Sequence, residues 1–244
     1  MFRAELRKAF APRSTWFLLL GGVGFSALTA YGYADDGKKG IEAGATTLAL
    51  ATDEVPRAWM TLFLFAAIAG AVFISREFDS RAIVRTVLLG QTRTRVFATK
   101  LAVVGTIGIL YGLVAMIAAV ISPFVFLPMA GLEVEWTAST TLTVLGVGAC
   151  GLLAALWGSG VGWLLRSRLA SVAVVVLFIL LVEPGLQRLW PEAANGFFSI
   201  ALSSIYLDQK PELLAVPFAT VIALAWIVVL LAASFLTFRR RDLR

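Results

Sequence analysis

The residue types that most often carry catalytic chemistry are scarce in this chain. The sequence contains no histidine and a single cysteine, Cys150. Since histidine is the usual general base and a common metal ligand, chemistry that depends on an imidazole is excluded. Cys150 lies among Gly146, Gly148 and Gly151 in an uncharged stretch, which indicates a small packing residue rather than a reactive thiol.

One segment comes close to a phosphate-binding loop. Residues Gly32 to Lys39 match the pattern GxxxxGK[ST] except at the last position, where Lys39 replaces the Ser or Thr that would hold Mg²⁺. The pattern also requires a preceding strand, and none is predicted here. We therefore expect no nucleotide site in this chain.

The composition is that of a membrane protein. Hydrophobic residues make up 59% of the 244 residues and charged residues only 15%, whereas a soluble domain carries about a quarter charged residues. The mean hydropathy is +0.88. The long apolar stretches contain no Asp, Glu, Lys or Arg. This disfavours intramembrane proteases, lipid hydrolases and ion-coupled transporters, which need ionisable groups inside the membrane.

Six uncharged stretches are long enough, or nearly so, to cross a bilayer as helices, which takes about 20 residues. We predict an all-α integral membrane protein in which residues 1–244 form a single domain. The third uncharged stretch continues to Leu132, but Pro123 and Pro128 predict that its helix ends at Ser122. The predicted spans are 14–34, 58–75, 101–122, 136–165, 169–182 and 213–238.

The fifth stretch is short for a crossing, since residues 169–182 would form about 21 Å of helix. Glu183, Pro184 and Gly185 follow, and then a mixed apolar segment up to Glu212. This pattern favours a helix that stops short of the far face, followed by short or re-entrant helices before the sixth span. The alternative is a tilted helix that continues through Pro184.

The distribution of basic residues predicts the orientation. With both termini in the cytoplasm, sixteen of the 21 lysines and arginines lie on the inner side, as the positive-inside rule requires. Topology thus explains the net charge of +6, and nucleic-acid binding is not expected. Residues 2–11 are predicted to form an amphipathic helix at the interface, with Phe2, Leu6 and Phe10 toward the acyl chains of membrane lipids.

The inner loop between the second and third spans, residues 76–100, is long and strongly basic. A helix over Glu77–Leu89 would place Glu77 and Asp79 in its first turn, where the helix dipole favours carboxylates. It would also pair Glu77 with Arg81 one turn later. Its apolar side chains, Phe78 among them, would face the membrane or a partner. The simpler alternative is a solvated basic loop.

Small residues recur at a spacing of four within the predicted spans. The pairs are Gly108 with Gly112, Ala154 with Gly158, and Gly158 with Gly162. Such pairs let helix backbones approach closely in a membrane. They fit packing within one chain as well as packing between subunits.

The loop resembles that of ABC-2-type exporter permeases, which have a Glu after the second span and a basic segment ending in Lys before the third. The matching positions are Glu77, Phe78, Arg81, Arg85, Thr86, Leu88, Arg95 and Lys100. The opening Ala4–Lys8, followed by Arg13–Trp16, is also similar to that family. This chain departs from the family in having Ser80 and Arg81 where a Gly-Thr pair is common.

The resemblance implies a multi-pass permease subunit in a bacterial cytoplasmic membrane, exporting a hydrophobic or amphipathic substrate. It implies a second permease subunit, identical or different, and a separate ABC ATPase that binds ATP and Mg²⁺, with no catalytic site, metal or cofactor in this chain. It also implies a cytoplasmic coupling helix in the loop. The candidate ATPase-coupling residues are Glu77, Phe78, Asp79, Arg81 and Arg85.

A membrane scaffold or assembly factor built from the same six helices is the main alternative to an exporter. An intramembrane enzyme is a further alternative. A neighbouring gene for an ATPase with a phosphate loop would favour the exporter.

Overall fold

The computed structural model describes residues 2–80, 82–88 and 92–240. Within these ranges the chain folds into helices with short connections and without strands. A 3₁₀ turn, Ala58–Thr61, joins α3 to α4, and a π-helical segment, Phe178–Val182, joins α8 to α9. The α-helices are α1 (Phe2–Phe10), α2 (Arg13–Glu42), α3 (Leu48–Arg57), α4 (Leu62–Asp79), α5 (Ala82–Leu88), α6 (Arg93–Met129), α7 (Ala138–Leu165), α8 (Arg168–Leu177), α9 (Glu183–Leu189), α10 (Pro191–Ala194), α11 (Phe198–Ile205) and α12 (Val216–Arg240).

Six helical stretches in the described ranges are long and apolar enough to cross a membrane, which confirms the predicted number of spans. They are Arg13–Glu42, Leu48–Asp79, Arg93–Met129, Ala138–Leu165, Arg168–Leu189 and Val216–Arg240.

The helices extend beyond several of the predicted spans. α2 continues past the predicted end at Ala34 to Glu42, and an exposed ion pair between Lys39 and Asp35, at 2.6 Å, lies on this last part. α3 precedes the predicted second span, so Leu48–Asp79 is one helical stretch. The predicted bounds are too narrow because hydropathy marks the uncharged part of a helix and not the charged turns that continue it.

The predicted end of the third span at Ser122 is wrong, because α6 continues to Met129 with Pro123 and Pro128 inside it. Pro123 cannot donate the hydrogen bond that the carbonyl oxygen of Ala119 would accept in a regular helix. The hydroxyl group of Ser122 donates to that oxygen instead, at 3.1 Å. Side-chain donors of this kind allow proline inside membrane helices.

The fifth span does not stop at Val182 as predicted. α8, the π-helical segment and α9 form one helical stretch of 22 residues, Arg168–Leu189. The π-helical turn lies directly before Pro184, where the regular backbone hydrogen bond is lost. Of the two predictions, the structure therefore agrees with the alternative, a helix that continues through Pro184. The short helices α10 and α11 follow, and their position relative to the bilayer stays a prediction.

α4 and α7 form the centre of the bundle. The apolar segments of Leu48–Asp79 and Ala138–Leu165 are 72% and 67% buried, against 22–33% for the other spans. A methyl group added to Gly162 would lie 2.6 Å from the carbonyl oxygen of Ala71. A methyl group added to Gly158 would overlap the carbonyl oxygen of Ala67. These small residues therefore pack helices of the same chain against each other.

We call the end of the bundle that carries α1 and the end of α12 the inner end, and the opposite end the outer end, after the sides of the membrane that the sequence predicts for them. α1 packs on the inner end through a different face from the predicted one. Leu6 and Phe10 are partly buried against the protein core, Glu5 and Ala9 are fully covered, and Phe2 is exposed. Leu6 and Phe10 therefore pack against the protein core, and only Phe2 of the three predicted lipid-facing residues is exposed.

Candidate functional site

The described part of the predicted helix over Glu77–Leu89 belongs to two helices in the structure, and Leu89 lies outside the described residues. α4 continues to Asp79, and the N–H of Ser80 closes its last turn by donating to a carbonyl oxygen one turn back, at 3.0 Å. α5 then spans Ala82–Leu88. Glu77 and Asp79 thus lie at the C-terminal end of α4, where the helix dipole disfavours carboxylates. The predicted first-turn stabilisation is wrong.

Glu77 belongs instead to a group of four charged residues at the inner end of the bundle. We call Glu5, Lys8, Glu77 and Lys100 the inner charge cluster. The ammonium group of Lys100 lies 2.7 Å from Glu5 Oε2 and 2.9 Å from Glu77 Oε2. The side chain of Lys100 is fully buried and both carboxylate side chains are only 4% exposed. Buried charges of this kind are tolerated only while they remain paired.

Lys8 completes the cluster at its solvent edge. Its Nζ atom lies 2.7 Å from Glu5 Oε1 and 3.7 Å from Glu77 Oε1. The guanidinium group of Arg76 donates to the backbone carbonyl oxygen of Lys8 at 2.7 Å. Two ammonium groups thus balance two carboxylates, and the cluster joins α1 to the end of α4 and to α6.

The cluster shifts the pKa of both of its α1 residues. Burial raises the pKa of Glu5, but hydrogen bonds and positive charges from Lys100 and Lys8 outweigh it and hold this pKa below the ordinary 4.5. Burial lowers the pKa of Lys8, but its hydrogen bond with Glu5 and the negative charges of Glu77 and Glu5 raise it above the ordinary 10.5. Both groups are therefore charged at neutral pH.

Phe78 and Asp79, the next two predicted coupling residues, contact the turn between α7 and α8. The rings of Phe78 and Trp163 meet edge to face with centroids 5.6 Å apart, and the guanidinium group of Arg166 lies 5.1 Å from the Phe78 centroid. Asp79 is exposed and pairs with Arg168 at 3.5 Å. Glu77 therefore links the last turn of α4 to α6 and α1, and Phe78 and Asp79 link it to α7 and α8.

Arg81 lies outside the described residues, and so does the side chain of Arg85, so the structure does not place these two predicted coupling residues. On α5, Ile83 is buried and Val84 packs against the core. α5 contacts both α4 and α6. It is therefore anchored on the inner ends of the two helices that it connects.

Sequence reasoning missed Glu5, Lys8 and Lys100 as members of one site. One signal was present: Lys100 directly precedes a long apolar run. In the structure it lies about two turns inside α6, which begins at Arg93. A lysine at that depth needs a carboxylate partner. What the pattern could not indicate is which carboxylates, because Glu5 and Glu77 are distant in sequence.

A comparison with known protein families bears directly on these residues. The family model described as "ABC-2 family transporter protein" matches residues 1–182, about three quarters of the chain. The match includes α1, all of the inner charge cluster and the loop between α4 and α6. The chain belongs to the ABC-2 transporter family. No curated protein matches it.

The ABC-2 chain has a cavity of about 390 Å³ at the end of the bundle opposite the inner charge cluster. We call it the outer cavity. α2, the start of α4, the π-helical segment, α9 and α11 surround it. The side formed by α2, α4 and the π-helical segment is mostly apolar, and we call it the apolar wall; it includes Phe25, Phe63, Leu64 and Ile179. The side formed by α9, α11 and the segment after α11 carries most of the polar groups, and we call it the polar wall; it includes Gln187, Ser199, Ser203, Tyr206 and Lys210.

Glu183 lies behind the polar wall and is fully buried. Its Oε2 atom accepts a hydrogen bond from the backbone N–H of Ser199, at 2.7 Å, and another from the Ser199 hydroxyl group. Its Oε1 atom and the side-chain nitrogen of Gln187 have no hydrogen-bond partner in the part of the chain that the structure describes. The predicted fifth span contained no ionisable residue. The longer span in the structure includes this carboxylate.

Proposed function

We propose that this ABC-2 family chain is the permease subunit of an ATP-driven exporter in a bacterial cytoplasmic membrane, with both termini in the cytoplasm. The observation that carries the proposal is the family match over residues 1–182. A separate ABC ATPase subunit would bind ATP and Mg²⁺. A second permease subunit, identical or different, would complete the transport pathway, and this chain would contribute no catalytic residue.

The outer cavity supports a hydrophobic or amphipathic substrate. Its apolar wall can cover an alkyl or aromatic portion of a molecule. On the polar wall, the ammonium group of Lys210 can donate a hydrogen bond and the hydroxyl group of Tyr206 can donate or accept one. A molecule with one apolar part and one polar part therefore fits both walls.

Because ATP would bind outside this chain, its free energy must enter through a contact on the cytoplasmic side. We assign this contact to the end of α4 and to α5, where Asp79 is exposed and Arg81 and Arg85 add positive charge. The contact must differ between two conformations, since otherwise nucleotide shifts no equilibrium. Phe78 would pass a displacement to α7 through Trp163, and Glu77 would pass it to the inner charge cluster.

The experiment uses the permease co-purified with its ATPase and reconstituted in liposomes. Arg81→Glu reverses a charge at the contact, and Phe78→Ala removes the ring that packs on Trp163 and Arg166. We expect each variant to insert into the membrane normally and to reduce the stimulated ATP turnover and export about ten-fold, as for other interface residues that carry binding energy. Complex recovery, ATP turnover and export are measured for each.

Phe124→Ala is the matched control for the aromatic substitution. Its ring stacks on Trp136 with centroids 5.8 Å apart, at the outer end of the bundle, so ATP turnover should not change. The permease without its ATPase is expected not to hydrolyse ATP. If Arg81→Glu and Phe78→Ala keep complex recovery, turnover and export at the wild-type level, the segment is only a solvated connection and the assignment is wrong.

A further inference from the structure

α1 and the start of α2 form one unit at the inner end of the bundle. The hydroxyl group of Thr15 donates to the carbonyl oxygen of Ala9 at 2.8 Å, and the indole N–H of Trp16 donates to that of Phe10 at 2.9 Å. These bonds cross the short connection between the two helices. A displacement of α1 is therefore transmitted to α2.

The inner charge cluster joins this unit to α4 and α6 through one shared ammonium group. Lys100 on α6 pairs with Glu5 of α1 and with Glu77 of α4 at nearly equal distances, 2.7 and 2.9 Å. If the end of α4 moved away from α1, a carboxylate or the ammonium group would lose its partner in a buried position, which is strongly unfavourable. The three helix ends are thus constrained to move together.

The middle of α2 borders the outer cavity. Phe25 and Thr29 of α2 line it together with Phe63 of α4. α2 is one continuous helix from Arg13 to Glu42. A tilt or shift imposed at its inner end therefore changes the position of Phe25 and Thr29 in the cavity wall.

We propose that Lys100 is a positioning residue that makes α1 and α2 follow α4 and α5, so that a displacement at the cytoplasmic loop changes the α2 wall of the outer cavity. This inference rests on the proposed function, because the displacement would come from the ATPase. Glu5 carries the link to α1, and Glu77 carries the link to α4. The cluster acts through these contacts and touches neither nucleotide nor substrate.

The test follows α2 directly in the permease–ATPase complex in nanodiscs. An environment-sensitive fluorophore is attached to Thr29→Cys in a Cys150→Ala background, and its emission is recorded before and after addition of ATP and Mg²⁺. We expect a nucleotide-dependent emission change in the parent complex. Glu5→Ala and Lys100→Met should reduce this change about five-fold or more, within the usual range of coupling between sites, while ATP turnover by the ATPase continues.

Two further variants separate positioning from a general effect on folding. Lys100→Arg keeps a cation that can pair with both Glu5 and Glu77, and it should keep most of the emission change. Lys39→Met removes a lysine that pairs with Asp35 at 2.6 Å on the exposed part of α2, and should have no effect.

The outcomes distinguish this inference from the proposed function. If the parent complex responds to ATP and Glu5→Ala responds equally, the inference is overturned and the proposed function stands. If the parent complex hydrolyses ATP and exports but its emission does not change, the inference is likewise overturned. If no ATPase binds, the proposed function itself fails. If Lys100→Met does not fold, Glu5→Ala and Lys100→Arg decide the result, since the first leaves Lys100 paired with Glu77 and the second keeps a cation between the two carboxylates.

Discussion

At the scale of single residues, Glu5 keeps its charge in a place that is almost closed to solvent. Because its pKa in the folded state is below the ordinary 4.5, its contribution to stability is present above that pH and is lost as the pH falls through the folded-state pKa. Lys8 behaves in the opposite way. Its pKa is raised above 10.5, so its contribution is present below that pH and is lost as the pH rises through the raised value.

The first stability prediction concerns Glu5→Gln. The substitution removes one charge of a buried pair, and we expect it to lower the free energy of unfolding by about 3 kcal/mol at neutral pH. Between about pH 6 and 9 the difference from wild type should be constant, because Glu5 stays ionised and Lys8 stays protonated. Below about pH 4.5 the difference should shrink as Glu5 takes up a proton in the wild type.

The measurement is thermal unfolding of both proteins in detergent, followed by circular dichroism across this pH range. Glu42→Gln is the control, because Glu42 is exposed at the end of α2 and should show little difference at any pH. A difference between wild type and Glu5→Gln that grows as the pH falls would contradict the assigned direction of the pKa shift.

From the sequence, some residues of the site could be named, but their arrangement in space could not be predicted. A Glu after the second span and a Lys before the third span were visible as motif residues. The positive-inside rule already explained the lysines as topology signals, so nothing in the sequence required Lys100 to be buried. Its burial depends on three helix ends converging, which is a property of packing between distant segments.

At the scale of helices, local sequence predicted which segments are helical better than where each helix ends. Pro123 was expected to end α6, but the neighbouring Ser122 supplies a donor for the carbonyl group that proline leaves free. Glu77 was expected to begin a helix, and it lies on the last turn of α4 instead. In both cases a side-chain contact outweighs the local signal, and such contacts cannot be read from hydropathy.

The packing of α4 against α7 gives a prediction at this scale. Gly158→Ala would place a methyl group against the backbone carbonyl of Ala67, where there is no room for it. We expect the two central helices to separate, with a loss of about 1–3 kcal/mol of stability. The midpoint of thermal unfolding and the yield of monodisperse protein report this loss.

Gly24→Ala is the matched control in α2. A methyl group there has no atom within 4 Å, so alanine's higher helix propensity should leave stability unchanged or raise it by up to about 1 kcal/mol. Equal unfolding midpoints for Gly158→Ala and wild type would show that α4 and α7 do not depend on this close contact.

At the scale of the whole molecule, hydropathy predicted the number of spans but not which of them are central. The mean hydropathies of the two central stretches lie within the range of the other four, because helices in a membrane need apolar faces toward lipid as well as toward each other. In the structure Leu48–Asp79 and Ala138–Leu165 are mostly buried, whereas a third or less of each other span is buried. Glycine content does not identify the central spans either, because Arg13–Glu42 has six glycines and Leu48–Asp79 has one. What makes α4 and α7 central is a specific contact, in which Gly158 and Gly162 meet the backbone of α4.

The bundle has two distinct ends, and the last prediction assigns them to the two sides of the membrane. The backbone N–H of Glu135, between α6 and α7, donates to the hydroxyl group of Thr52 on α3 at 3.1 Å, which places these outer connections together. At the other end Arg93 donates to the carbonyl oxygens of Phe238 and Arg239 at 2.7 and 2.9 Å. The start of α6 and the end of α12 therefore share one side.

Because the second end carries most of the lysines and arginines, we expect it to face the cytoplasm. Single cysteines are introduced at Asp36 and Glu133 for the outer end and at Thr94 and Arg240 for the inner end, in a Cys150→Ala background. A membrane-impermeant maleimide should label the first two in intact cells, and the last two only after permeabilisation. Labelling of position 94 in intact cells would reverse the orientation. It would also remove the cytoplasmic contact through which an ATPase could act on α5.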